Sequence, residues 1–237
     1  MTPRIGTAGW AIPGIHRDRF PEDGSGLERY AARLNCAEIN STFYRPHRPA
    51  TFERWRDTTP GDFRFAVKVP RTISHERRLA DSGDLLAAFL EMIAPLGDKL
   101  GPLLVQLPPS QPFDPAVAEA FLADLRRRHA GPVAWEPRHA SWFSPDAESL
   151  LAAHAVARDA AAPAKVPEAA GPGGADTLRY WRLHGSPDMY RTPYGAARLD
   201  ALAAEVCASQ AETWVIFDNT TTGAAAGDAL DMVERLG

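Results

Sequence analysis

Residues Pro132 to Phe143 read PVAWEPRHASWF. A short apolar run, Val133 to Trp135, passes directly into Glu136, Arg138 and His139, so charge is placed where a buried strand ends. Taking an ionised carboxylate out of water is costly unless it is paired, hydrogen-bonded or metal-bound. Such a position therefore implies an ion-pair network or a working site. The same ending recurs in six other segments, and that recurrence decides the fold.

Upstream, Arg4 to Trp10 (RIGTAGW) reads as a strand, and Ser25-Gly-Leu-Glu28 carries a capping-box pattern that opens a helix to about Asn35. Cys36 to Tyr44, Ala50 to Thr58 and Phe63 to Pro70 continue as strand, helix and strand. A helix over Asp84 to Leu96, a strand at Leu103 to Leu107 and a helix from Asp114 to His129 come next, the last with Pro115 at its first position. Downstream of the Val133 to Arg138 strand, a fifth helix opens at Ser144 and a weak sixth strand spans Ala155 to Asp159. Ala160 to Asp176 has no apolar periodicity and reads as a loop standing where a crossover helix belongs. Leu178 to Gly185 and Thr213 to Asn219 are the last two strands, each succeeded by a helix. Eight strands alternating with helices predict an α/β fold closed as a TIM-type (β/α) barrel, with the sixth helix missing or replaced by that loop. Residues 1–237 are read as one such domain.

The length of 237 residues suits a barrel, and 45% hydrophobic with 24% charged residues excludes a disordered chain. No apolar run is long enough to span a bilayer and the first residues lack a signal-peptide pattern, so a cytoplasmic protein is expected. Cys36 and Cys207 have no metal-type spacing, and a formal net charge of −4 does not favour nucleic acid.

Side chains alternate faces along a strand, so parity can be compared between strands. One parity carries Ile39, Val67, Val105, Trp135, Leu183 and Phe217, which suits packing against helices. The other carries Glu38, Asn40, Lys68, Gln106, Glu136, Arg138, Asp159, Arg182, His184 and Asp218. In a closed barrel this set points inward near the C-terminal rim, where active sites are built. The competing explanation is a purely structural interior ion-pair network. Glu38 and Glu136 are the candidate acid–base pair or metal ligands, and His184 a proton carrier. Lys68, a catalytic candidate with these three, either clamps an anion together with Arg182 or pairs with Glu38 or Glu136, while Arg138 is a substrate-binding candidate and Asn40 and Gln106 orient the substrate. His75 and His139 are weaker candidates. Trp10, Phe43, Tyr44, Trp142, Tyr190 and Tyr194 gather at the same rim, where aromatic rings stack on a ligand or pack the lid; Asn219 is a further polar candidate.

The motifs GTAGW (Gly6 to Trp10), EINSTFY (Glu38 to Tyr44), FRFAVK (Phe63 to Lys68), LVQLPPS (Leu104 to Ser110), WEPRHASWF, RLHG (Arg182 to Gly185) and FDNT (Phe217 to Thr220) together resemble the YecE-like family, domain of unknown function family 72. The resemblance covers nearly the whole chain and implies a TIM-barrel-type fold and no established activity. It departs at Pro137, where the family usually has a bulky residue, and at Asp218-Asn219, where it often has two asparagines; the latter weakens Asp218 as a required metal ligand. The resulting expectation is an enzyme, hydrolase- or isomerase-like, using acid–base or metal-assisted chemistry on a small polar or anionic substrate, with a divalent metal as the candidate cofactor. The alternative is a binding module for nucleic acid or a small ligand, in which Arg45, Arg48, Arg71, Arg77 and Arg78 contact a strand.

Overall fold

In the computed structural model, which describes residues 2–237, the strands are β1 Arg4–Ala8, β2 Cys36–Ile39, β3 Arg64–Lys68, β4 Leu100–Gln106, β5 Val133–Glu136, β6 Ala157–Arg158, β7 Ala160–Ala162, β8 Gly173–Gly174, β9 Leu178–Leu183 and β10 Glu212–Phe217. The helices are α1 Gly26–Ala31, α2 Pro49–Thr58, α3 Gly83–Ile93, α4 Pro115–Arg128, α5 Pro145–Ala153, α6 Ala196–Ala208 and α7 Ala224–Leu236. Strands β1 to β6 pair in sequence order and in parallel, and β9, β10 and β1 continue the sheet on the other side. β6 pairs with β5 and β7 with β9, although one residue, Asp159, separates them in the chain. The segment from 157 to 162 is therefore one staggered strand that changes partner at Asp159 and closes an eight-position (β/α) barrel.

The predicted barrel and its missing sixth helix are both present. After β7 the chain makes a short 3-10 turn, Pro167–Ala170, and then β8 pairs antiparallel with β6. The boundary of the sixth strand differs from the expectation, because Ala160–Ala162 is strand rather than loop. Three alanines carry little intrinsic strand preference, and the pairing with β9 imposes the extended backbone on them.

The parity reading also describes the two faces of the sheet. Ile39, Val67, Val105, Trp135, Leu183 and Phe217 are buried in the layer between barrel and helices, together with Leu86 and Phe89 of α3 and Phe121 of α4. Inside the barrel, Cys36, Ala66, Leu104, Ala134, Ala157, Tyr180, Trp214 and Ile216 form a second apolar cluster. Glu38, Lys68, Gln106, Glu136, Asp159, Arg182 and Asp218 each come two residues after a member of this cluster, so the interior is apolar below and polar above. Trp214 is the largest part of the plug, and Gly101 makes room for it: a Cβ on that glycine would lie 2.6 Å from the indole. Among the described residues no helix is long and apolar enough to cross a membrane.

Candidate active site

The polar layer centres on Arg182, whose side chain is 1% exposed. Its Nε donates to Glu38 Oε2 at 3.1 Å and its Nη2 donates to Glu38 Oε1 at 2.9 Å. Nη1 donates to Glu136 Oε2 at 3.2 Å, and Nη2 also lies 3.0 Å from Asp218 Oδ2. One planar guanidinium thus joins β2, β5 and the end of β10 from its place on β9. The fork of donors and the delocalised charge suit arginine to this bridging role in a way lysine cannot match. Tyr180, stacked near Trp214 below, donates its hydroxyl to Glu38 Oε2 at 2.9 Å and so ties the plug to the ionic layer.

Glu136 receives Gln106 Nε2 at 2.8 Å and an ion pair from Arg138. His184 Nε2 lies 2.9 Å from Arg138 Nη2 and 3.3 Å from Glu136 Oε1. A guanidinium can only donate, so Nε2 accepts and the ring proton sits on Nδ1, from which it is donated to Asp218 Oδ2 at 3.0 Å. His184 therefore joins Arg138 to Asp218. In this network it could carry a proton only after Arg138 moved away.

Glu38, Glu136, Lys68, Gln106, Arg138, Arg182 and His184, predicted from scattered motifs, are thereby brought to one place. Asn40 lies at the start of the 3-10 turn Ser41–Phe43, and its buried Oδ1 has no hydrogen-bond partner. Three of the predicted residues lie apart from this network. Asn219 donates to Thr192 O at 2.9 Å and to Asp228 Oδ2 at 2.7 Å, which holds the β10–α7 turn to the loop before α6. The Tyr194 hydroxyl donates to Ala162 O at 3.0 Å and accepts from the Gly185 amide at 2.8 Å, so it fastens β7 to the end of β9. Burial pushes its pKa up to about 12, consistent with a structural phenol. Tyr44 is 69% exposed and lines a separate cleft of about 460 Å³ with Phe43, Arg45, Arg71 and Met92.

Phe43, rather than Tyr44, meets the site. Lys68 Nζ stands 4.2 Å from its ring centroid, and His75 packs edge-on against the same ring. Tyr190 covers the other side of the mouth, its ring edge-on to His184 with centroids 5.6 Å apart. Trp142 is buried against Trp135 and Phe113 and belongs to the core. His139 caps its own turn through Ser141. Of the arginines named for a nucleic-acid strand, Arg71 is paired with Glu76 and Arg78 is bonded to Ser110.

Charge decides how these groups behave. Burial works to raise Glu136, but Arg138 and Arg182 outweigh it and hold its carboxyl well below the usual carboxylate range. Burial likewise opposes ionisation of Asp218, and Arg182 with the His184 hydrogen bond keeps it low. Burial would also lower Arg182, yet Asp218, Glu38 and Glu136 raise it well above the ordinary guanidinium value. Lys68 is different: among the described residues it takes part in no ion pair, and burial reinforced by Arg182 lowers it to about 8 although Glu38, Glu136 and Asp218 pull the other way.

Asp159, placed on the inward parity but left out of the predicted site, is 1% exposed and neither carboxyl oxygen has a hydrogen-bond partner. Burial, with Glu136 next to it, pushes its pKa well above the ordinary value and favours the protonated form. The unfolded chain releases that proton near pH ~4, so stability falls as pH rises above that point by about 1.4 kcal/mol for each pH unit until the folded carboxyl ionises too. Asp159→Asn removes this dependence. In urea unfolding the variant is expected to exceed the wild type at pH 7, and the gain should vanish below the ordinary carboxylate range.

A divalent metal does not fit this arrangement. The space between Glu38, Glu136 and Asp218 is held by the Arg182 guanidinium, and among the described residues no group of three His, Cys, Asp or Glu side chains is disposed as metal ligands.

The sequence profile of the family described as "Protein of unknown function DUF72" matches residues 4–237. The chain belongs to the DUF72 family. UPF0759 protein YecE of Escherichia coli K12 is 43% identical to this DUF72 chain over 84 residues, 35% of this chain and 31% of YecE. The match thus spans less than a third of that relative's length. A crystal structure of a DUF72 family protein from Thermotoga maritima superposes with TM-score 0.82 at 26% identity, covering 100% of this chain and 99% of the other. D-psicose 3-epimerase superposes with TM-score 0.53 at 12% identity, covering 89% of this chain and 88% of the other, a likeness of fold alone.

Proposed function

We propose that this DUF72 protein is an enzyme performing acid–base chemistry, of a hydrolase or isomerase kind, on a small polar or anionic substrate at the C-terminal mouth of the barrel. The observation that carries the reading is the placement of Lys68: a buried lysine in the polar layer, free of any carboxylate ion pair, whose pKa burial and Arg182 lower to about 8. An amine in that range gives and takes protons near neutral pH, which an ordinary lysine does not. Glu38 is fully buried and accepts from Arg182 and Tyr180, while Glu136 is held ionised by two arginines. Both serve better as counter-charges than as the acid–base pair suggested by their positions in the sequence.

Lys68 attracts the anionic part of the substrate and exchanges a proton with it. Gln106 and Asn40 orient its polar groups. Phe43 holds the amine in place, 4.2 Å from its ring centroid, while burial and the neighbouring Arg182 keep its pKa low. The test is a panel of sugar acids, sugar phosphates and hydroxy acids screened by NMR for turnover with wild type and Lys68→Met. Turnover by the wild type that is lost in the variant supports the reading, and turnover that survives in Lys68→Met overturns it.

A further inference from the structure

Asp159 sits where the closing strand changes partner, at the level of Glu136: its amide donates to Trp135 O at 3.0 Å while Arg158 is in register with Trp135. Arg158 turns outward to Glu148, so Asp159 turns into the barrel. The groups whose charges act on it are Glu136 from β5, Arg138 after β5, Arg182 from β9 and its own neighbour Arg158. The polar layer is already balanced without it, Glu38, Glu136 and Asp218 standing against Lys68, Arg138 and Arg182. A fourth carboxylate would be uncompensated in a dry interior. Arg138, one of the groups acting on Asp159, has a buried Nε without a partner, and Asn40 Oδ1, past the end of β2 and four strand positions round the barrel, is likewise buried and unpartnered. Buried polar groups are almost always hydrogen-bonded, and a set of unsatisfied ones in one layer points to a ligand that completes them.

We propose that Asp159 is a ligand-binding residue of this site, a neutral carboxylic acid that donates a hydrogen bond to an oxygen of the bound molecule beside Glu136. The proposal rests on the reading of the mouth as a site for a small anion and adds a requirement to it: the ligand carries an acceptor oxygen, of a carboxylate, phosphate or carbonyl group, that reaches the β5–β6 side while its charge faces Lys68. A neutral donor suits this position because it binds an anionic oxygen without adding a further charge. Environments that drive neighbouring carboxyl groups to opposite protonation states also separate donor from acceptor roles, and here Asp159 is the donor and Glu136 the acceptor.

The test titrates the intact protein with orthophosphate, glycolate and D-gluconate, using NMR on wild type, Asp159→Asn, Asp159→Val and Lys68→Met. Wild type labelled with carboxyl-13C aspartate is expected to show a protonated carboxyl at pH 7 that is absent from Asp159→Asn and that shifts when a probe saturates the site. Asp159→Val is expected to lose about tenfold or more in affinity, whereas Asp159→Asn, whose amide can still donate, stays within about threefold. A carboxyl resonance that is ionised at pH 7, or that does not move on saturation, overturns the proposal even if Asp159→Val does not fold. Unchanged affinity in Asp159→Val with affinity lost in Lys68→Met overturns it while leaving the mouth as an anion site. Failure of all three probes to bind wild type overturns both.

Discussion

Replacing Arg182 by methionine is expected to lower the unfolding free energy by about 3–5 kcal/mol, the range seen when one partner of a buried ion pair is removed. Methionine fills much of the space, so the loss comes from charge rather than from a cavity. Glu38, Glu136 and Asp218 all turn toward this one guanidinium, and only Arg138 and Lys68 would remain to balance them. Domains of this kind are stable by only about 5–15 kcal/mol, so the variant should unfold at markedly lower urea and accumulate poorly at 37 °C. Adding Glu38→Gln to the same chain removes one orphaned charge and should return part of the loss. A urea midpoint for Arg182→Met equal to that of the wild type would mean that the three carboxylates do not depend on it.

Lys68→Met is expected to leave the fold intact and to abolish turnover of whatever substrate the panel reveals, by about 10²–10⁴-fold in kcat/KM, the usual contribution of a positioned acid or base. The ammonium has no carboxylate partner to orphan, and the methionine side chain can keep the contact with Phe43. Removing a desolvated charge is favourable and losing its attraction to Glu38, Glu136 and Asp218 is not, so the two effects oppose each other and the urea midpoint should change little. Lys68→Arg separates the two roles of the amine. A guanidinium still attracts an anion but does not titrate near neutrality, so binding should persist while turnover is lost. Equal turnover in Lys68→Arg and wild type would assign the residue to binding alone.

The fold and most of the polar layer are legible in the sequence because both depend on parity, which is local. Glu38, Lys68, Glu136 and Arg182 each sit two positions after a small or apolar interior residue, and that spacing survives folding unchanged. The features that escape a sequence reading depend on partners far along the chain. Tyr180 stands out in no strand pattern, and only the contact with Glu38 from β2 makes its hydroxyl part of the ionic layer. Asn219 is fixed by Asp228 on α7 and by Thr192, pairings that no strand pattern encodes. Of the two neighbouring rim aromatics only Phe43 reaches Lys68, because β2 ends at Ile39 and the 3-10 turn Ser41–Phe43 sets the direction of both rings. Asp159 has the right parity, but its significance is the absence of a partner, which requires knowing every neighbour.

The catalytic reading turns on the protonation behaviour of one amine. Titrating wild-type protein carrying 13Cε-labelled lysine, with Lys68 assigned by comparison with Lys68→Met, measures it directly. Among only three lysines the assignment is simple. A midpoint close to about 8 is expected from burial beside Arg182 in the barrel mouth. A midpoint at the ordinary lysine value of about 10.4 would mean a solvated or tightly ion-paired side chain, and would contradict the assignment of Lys68 as the acid–base group of the site.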